Sequence, residues 1–340
     1  MTDPTIRPQI PVPKPKEYSK EIAGDISHRT GLTLTVSKIL AGRGFFPDET
    51  LDEFLNPRLG NLLKPATIQD FQKSIERIVA AVAAGEVIGV FGDYDMDGIG
   101  SAAMWSLFFR RIDTPFHTII AQRNSGYGLD PDSIEAFRQN KVSLILACDV
   151  GSTDYESAAL AKSLDMEVII IDHHHIDAPF PEAFAIINPQ RGDCDFPYLG
   201  MATVGLTFYV IAGLRTLLLT DGYRSEEVLP DVRDYLDIVA LGTLADVAPL
   251  TGVNRIMVSY GISLIRERSR ESIRALLDLA KLQDVSSITE KSLVFKIVPK
   301  LNAPGRMGDP QLALDLLLCP TYPEALEIGK ELRSINSHRQ

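Results

Sequence analysis

Val87-Ile88-Gly89-Val90, followed by Phe91-Gly92-Asp93-Tyr94-Asp95-Met96-Asp97-Gly98, decides how this chain folds. The short apolar run has the character of a buried strand, and the small residues from Gly98 to Ala103 read as a helix start. Three carboxylates therefore crowd one strand end. If the backbone stays extended through them, residues two apart face the same side, and Asp93, Asp95 and Asp97 come close together. Carboxylates that close raise each other's pKa and oppose folding unless a cation fills the space between them. A divalent metal site is the reading that follows. Turn and helix-capping aspartates are common after strands and would explain one such residue, but three in alternation much less well.

Working outward, the same pattern recurs. Asp70 stands as an N-cap before a helix whose apolar face is Phe71, Ile75, Ile78, Val79 and Val82, ending at Gly85. Ser143 to Cys148 is a second buried run and ends in Asp149, after which Thr153 and Glu156 form a capping box for a helix through Leu164. Glu167 to Ile171 is a third, and it ends in Asp172-His173-His174-His175. Strands alternating with helices imply an α/β fold, a mainly parallel sheet flanked by helices with right-handed crossovers. Ligands of such sheets bind beyond the carboxyl ends of the strands. Asp95, Asp97, Asp149, Asp172 and His173 are thus expected to converge on one crevice.

Of six histidines, three are consecutive at one strand end, whereas His28, His117 and His338 stand alone and read as structural. Hard oxygen donors with one or two imidazoles suit Mn²⁺ or Mg²⁺, with Zn²⁺ or Fe as other candidates. Several carboxylates in one site suggest two ions, which at roughly 3.5–4 Å apart clamp the attacking and leaving oxygens of a phosphoryl displacement.

Composition narrows the partners. The 340 residues, 45% hydrophobic with mean hydropathy near zero, suffice for a soluble protein with a large core. A net charge of −11 and a pI near 5.1 exclude a surface that grips nucleic acid all over, so phosphates must be met locally. Cys148, Cys194 and Cys319 show neither metal spacing nor a disulfide framework, which fits a reducing compartment. The longest apolar candidate, Met201 to Leu219, is interrupted by Gly205, Gly213 and Arg215, so no membrane span is expected and a cytoplasmic location follows. Residues 1–20 carry five prolines among basic residues and read as a poorly ordered arm. Residues 21–66, broken by Gly and Pro, read as a small helical N-terminal cap, residues 67–320 as the catalytic domain, and residues 321–340 as the start of a connecting helix.

Gly92-Asp93-Tyr94-Asp95-Met96-Asp97-Gly98, then Asp149-Val150-Gly151, then Asp172-His173-His174 resemble the first three motifs of the DHH phosphoesterase superfamily. Ala240 to Leu250 and Pro299 to Gly308 resemble stretches of its RecJ branch, the single-strand-specific 5′ to 3′ exonucleases. Five motifs in order, covering the chain from about Ile39 onward, make the resemblance specific. It implies the DHH phosphoesterase fold and a pair of Mn²⁺ or Mg²⁺ ions held by Asp95, Asp97, Asp149, His173 and Asp246, with Asp93 as a direct or indirect ligand. His174 would act on the scissile phosphate, with Asp172 and Arg306 beside it among the catalytic residues. Arg306, in a loop with Asn302, Gly305 and Gly308, has the guanidinium fork and close backbone approach that phosphate oxygens require. Arg123 precedes Ser125-Gly126-Tyr127-Gly128, where family members carry an acidic residue at the position of Ser125. Tyr127 is either a base-stacking residue or a packing residue of that loop.

The resemblance implies single-stranded nucleic acid as partner, hydrolysis by metal-activated water, no membrane, and single-strand-binding or replication and repair proteins as further partners. RecJ proteins continue into a long helix, a DHH-associated domain and an OB-fold, so the chain reads as a catalytic core, ending in an amphipathic helix from Pro323 to Arg339 with nothing after it to pack against. Two other readings remain open at this point. One keeps the chemistry but acts on short oligonucleotides, cyclic dinucleotides or pyrophosphate; the other is a non-catalytic scaffold.

Overall fold

The apolar runs become five parallel strands: β1 (Val87–Gly92), β2 (Phe116–Ile120), β3 (Val142–Cys148), β4 (Glu167–Ile171) and β5 (Ala185–Ile187). They are seen in a computed structural model that describes residues 17–123, 126 and 128–339. The sheet order is β2-β1-β3-β4-β5, so the chain reverses its direction of winding between β1 and β3. That reversal is where open α/β sheets form their ligand crevice.

Both faces of the sheet are buried, which is why its strands read as continuous apolar runs rather than alternating ones. Leu144, Leu146 and Cys148 of β3 face one core, together with Trp105, Val204 and Ile238 from the helices Met96–Arg111, Thr203–Thr220 and Leu236–Ala245. Ile145 and Ala147 face a second core with Ile134 and Phe137 from the helix Pro131–Gln139 and Ala161 from Tyr155–Ser163. Burying each such side chain contributes roughly 1.5–3 kcal/mol before chain entropy is counted. Thr203–Thr220 is long and apolar enough to cross a membrane, but 61% of it is buried against the rest of the molecule, as in a core helix.

The described residues form two compact units divided between Arg58 and Leu59. The smaller contains the helices Lys20–Thr30, Leu34–Gly42 and Glu49–Leu55, capped by Ser19, Thr33 and Asp48, around Ile26, Leu40 and Leu51. Residues 59–66, read in the sequence as part of the cap, belong with the larger unit. Residues 1–16 of the proline-rich arm lie outside the described residues.

Three local expectations change. Asp70 does precede the helix Phe71–Ala84, but in a left-handed conformation and without a capping hydrogen bond. Its carboxylate is taken instead by Arg191 at 2.7 Å and the Ile186 amide at 3.1 Å. The expected Thr153–Glu156 capping box does not form; Asp154 is the N-cap residue, and its carboxylate accepts the Leu129 amide at 2.7 Å. The helix Tyr322–Arg339, read as having nothing beyond it to pack against, is seated on the earlier helices Glu271–Leu279 and Gln311–Leu318 and buries Ala325 and Leu332.

Candidate metal centre

β1 stops at Gly92, and the strand does not run on through the aspartates: Asp95 is a single extended residue ahead of a helix that already contains Asp97. Met96–Arg111 is already helical, with Asp95 as N-cap accepting the Asp97 and Gly98 amides at 2.9 and 3.3 Å. The three carboxylates converge because strand, turn and helix fold tightly, not because side chains alternate. Gly98 permits that fold, since a Cβ there would stand 2.4 Å from the Asp93 nitrogen. Asp149 follows β3 with φ of 66°, a left-handed conformation to which Asp is better suited than most side chains.

Ligating atoms of Asp93, Asp95 and Asp149 lie within 4.8 Å of one another, as do those of Asp97, His173 and Asp246, and those of Asp149, His173 and His174. The groups share Asp149 and His173, so they form one continuous cluster with room for more than one ion. His173 Nε2 is 3.4 Å from Asp149 Oδ1 and 3.7 Å from Asp97 Oδ2, and its Nδ1 is 3.9 Å from Asp246 Oδ2.

Electrostatics in this cluster call for a cation. Burial, reinforced by Asp95, pushes Asp93 up to about 7 and Asp97 to about 8. Burial and the neighbouring aspartates raise Asp149 as well. Asp93 Oδ1 is buried with no hydrogen-bond partner among the described residues. Burial lowers the His173 pKa, which favours the neutral imidazole that coordination uses. These donors, carboxylate oxygens with an imidazole nitrogen, fit divalent ions of the Mn²⁺ and Mg²⁺ kind.

His174 differs from His173. Its Nδ1 is 2.7 Å from Asp172 Oδ1, and that hydrogen bond raises its pKa. Burial opposes charge on Asp172, but the bond to His174 and the charge on that ring hold it down to about 2. Asp172 also accepts the amides of His173 at 2.7 Å, His174 at 3.2 Å and Ser152 at 3.2 Å. It is therefore turned inward as the orienting partner of His174. Asn188 completes this brace, donating to the His174 carbonyl at 2.8 Å and to Ser152 Oγ at 3.0 Å.

A cavity of about 320 Å³ opens over the cluster, lined by Asp93, Asp95, Asp149, His174 and Asp246 together with Tyr94, Arg123, Asn302 and Arg306. Asn302 Oδ1 accepts the Met96 amide at 2.8 Å, so this residue braces the metal loop as well as facing the cavity. Gly305 lies so close to that loop that a Cβ would stand 2.3 Å from the Tyr94 carbonyl oxygen. Tyr127 lies outside the described residues. Of the candidate site residues that do not line the cavity, Asp97 and His173 lie beside one another in the cluster, Asp172 is hydrogen-bonded to His174, and Gly305 abuts Tyr94.

Thr203 was not anticipated. Its amide donates to Asp97 at 2.7 Å and its hydroxyl to Asp149 at 3.0 Å, and the Val204 amide donates to Asp97 at 2.8 Å. Asp97 thereby caps the Thr203–Thr220 helix from outside it, at the positive end of its dipole. Nothing in the sequence around Ala202 signals this, because the cap comes from a residue 106 positions earlier.

Residues 87–243 match the N-terminal domain of the DHH family, and that part of the chain is a DHH-family domain. Within it the similarity is to RecJ proteins. The single-stranded-DNA-specific exonuclease RecJ of Salmonella typhimurium is 36% identical over 80% of this chain and 48% of its own length. The Escherichia coli RecJ is 34% identical over 89% of this chain and 52% of its own. The chain thus spans about half the length of the curated relatives it matches. Among solved structures, exonuclease RecJ bound to manganese matches with a TM-score of 0.71 at 28% identity, over 80% of this chain and 67% of that one. RecJ of Thermus thermophilus in complex with Mn²⁺ matches with a TM-score of 0.75 at 26% identity, over 94% and 44%.

Proposed function

We propose that this chain carries the catalytic core of a RecJ-like exonuclease, hydrolysing phosphodiesters of single-stranded DNA from the 5′ end with two Mn²⁺ or Mg²⁺ ions. The observation that carries this reading is one cavity in which metal-type donors face two guanidinium groups, Arg123 and Arg306. Neither arginine pairs with a carboxylate among the described residues. A phosphodiester supplies the anion that both require.

Asp93, Asp95, Asp97, Asp149, His173 and Asp246 would hold the ions. When bound, such ions activate water and neutralise charge on the phosphate. Arg123 and Arg306 hold non-bridging oxygens, and Asn302 Nδ2 remains for a further contact, since its oxygen is committed to Met96. His174, with Nδ1 engaged by Asp172, presents Nε2 to the substrate as hydrogen-bond donor and acid. Asp172 acts through His174 and is a positioning residue. The three cysteines are free, in keeping with a cytoplasmic protein.

The test is release of nucleotides from single strands labelled at either end, with Mn²⁺, beside linear and cyclic dinucleotides. Label lost first from the 5′ end as mononucleotide is the expected result. Turnover confined to dinucleotides would overturn the substrate assignment.

A further inference from the structure

We propose that Tyr94 is a positioning residue: it clasps the segment of Arg123 and the one-turn helix of Arg306 (Pro304–Met307) together and so fixes the separation of the two guanidinium groups that receive a phosphodiester. This rests on the function proposed above and adds to it the element that sets the phosphate subsite.

Tyr94 stands between two aspartates of the metal loop, yet its ring is only half-buried and lines the cavity. Arg123 lies over that ring, with its guanidinium carbon 5.8 Å from the centroid. On the other side the Tyr94 carbonyl receives Gly305, where a Cβ would come to 2.3 Å from the oxygen and 3.1 Å from Tyr94 Cδ2. Arg306 is the next residue. A separate tie joins the same two segments, as Gln122 Nε2 donates to Asp309 Oδ1 at 3.1 Å. Residues 122–123, 94 and 305–309 thus form one closed set of contacts around the cavity mouth.

Two guanidinium groups converging on one cavity repel each other until an anion arrives, and neither has a carboxylate to hold it. The ring face holds Arg123 in place without neutralising it, as a cation–π contact does. Gly305 serves the same end. Only a residue without Cβ lets the helical turn of Arg306 rest on the Tyr94 backbone. The Tyr94 hydroxyl has no hydrogen-bond partner among the described residues, so the face of the ring and not its polar tip is the working part.

The experiment uses Y94F, Y94L, R123Q, the double variant Y94L/R123Q, and Q122L, which breaks the second tie without touching the metal loop. Two readouts are taken: the Arg123 Nε–H resonance, shifted by the ring above which it sits, and kcat and KM on 5′-phosphorylated tetrathymidylate with Mn²⁺. Y94F is expected to keep both the resonance and the kinetics. Y94L and Q122L should each raise KM about two- to fivefold with kcat less affected. Y94L should add little on top of R123Q, because Tyr94 acts through Arg123. An Arg123 resonance unchanged in Y94L, or additive losses in the double variant, would overturn the proposal. So would a Y94L protein that loses Mn²⁺ as an aspartate variant does, with Q122L indistinguishable from wild type. If the wild-type chain leaves the oligonucleotide intact, the proposed function falls, and the resonance still decides whether the clasp exists.

Discussion

Thr203 donates its hydroxyl to Asp149 at 3.0 Å from the first turn of a helix whose amides hold Asp97. One helix terminus therefore orients two carboxylates that reach it from different elements, Asp97 from the first turn of Met96–Arg111 and Asp149 from just beyond β3. Partners of this kind typically change metal affinity 10- to 100-fold when removed. Thr203→Val keeps the shape and the amide but deletes the hydroxyl, and we expect Mn²⁺ affinity to fall about tenfold in a folded protein. Calorimetric titration with Mn²⁺ checks this; an unchanged affinity would show that the hydroxyl does not orient Asp149.

The adjacent histidines should separate cleanly. His173→Ala removes a donor shared by two of the ligand groups and should empty the site, as should Asp149→Ala. His174→Ala should load metal nearly normally while losing turnover by about 10²-fold or more. Asp172→Asn should resemble His174→Ala, because it removes the acceptor that fixes the ring and favours its charge. Metal content by mass spectrometry, measured beside kcat, distinguishes the two classes. Equal metal loss in the His173 and His174 variants would refute the assigned roles.

The buried aspartates make the metal-free protein sensitive to pH in a defined direction. Asp93 stands at about 7 in the folded chain, against about 3.9 for an unfolded aspartate. Below pH 4 both states hold the proton and nothing is lost. As pH rises from 4 to 7 the unfolded state releases its proton first, so stability falls, by about 4 kcal/mol for Asp93 alone. Asp97, at about 8, extends the loss upward. The melting temperature in EDTA should therefore be lower at pH 8 than at pH 5.5. Added Mn²⁺ should raise it more at pH 8. A Tm in EDTA that climbs over this range would contradict the carboxylate crowding.

Gly98 offers a test of the turn itself. A Cβ there would meet the Asp93 nitrogen, oxygen and Cα at 2.4, 2.6 and 2.7 Å, all backbone atoms with nowhere to go. Gly98→Ala should lower the unfolding free energy in urea by about 1–3 kcal/mol and weaken metal binding as well. A variant of wild-type stability would mean that the loop has slack that these distances exclude.

What could be read in the sequence were features set by local pattern. The runs ending in Asp149 and Asp172 are apolar on both faces because helices cover both, and so their length and acidic ends mark strand termini directly. β2 and β5 escaped notice. The former is largely half-buried, and the latter is three residues long behind a proline-rich stretch. The convergence of Asp93, Asp95 and Asp97 was expected from an extended backbone and is achieved by a helix start, a different geometry with the same outcome. Thr203, Asn188 and Tyr94 had no such signal. Their roles depend on chain segments brought alongside only after the fold has closed.

Asn302 holds the amide of Met96 from a position 206 residues further along the chain. A ribosome adding roughly 5–20 residues each second needs about 10 to 40 s to cover that span. The sheet strands and the acidic loop are thus made long before the segment that braces them. The order of synthesis supplies the scaffold of the cavity well before the segment that completes its wall.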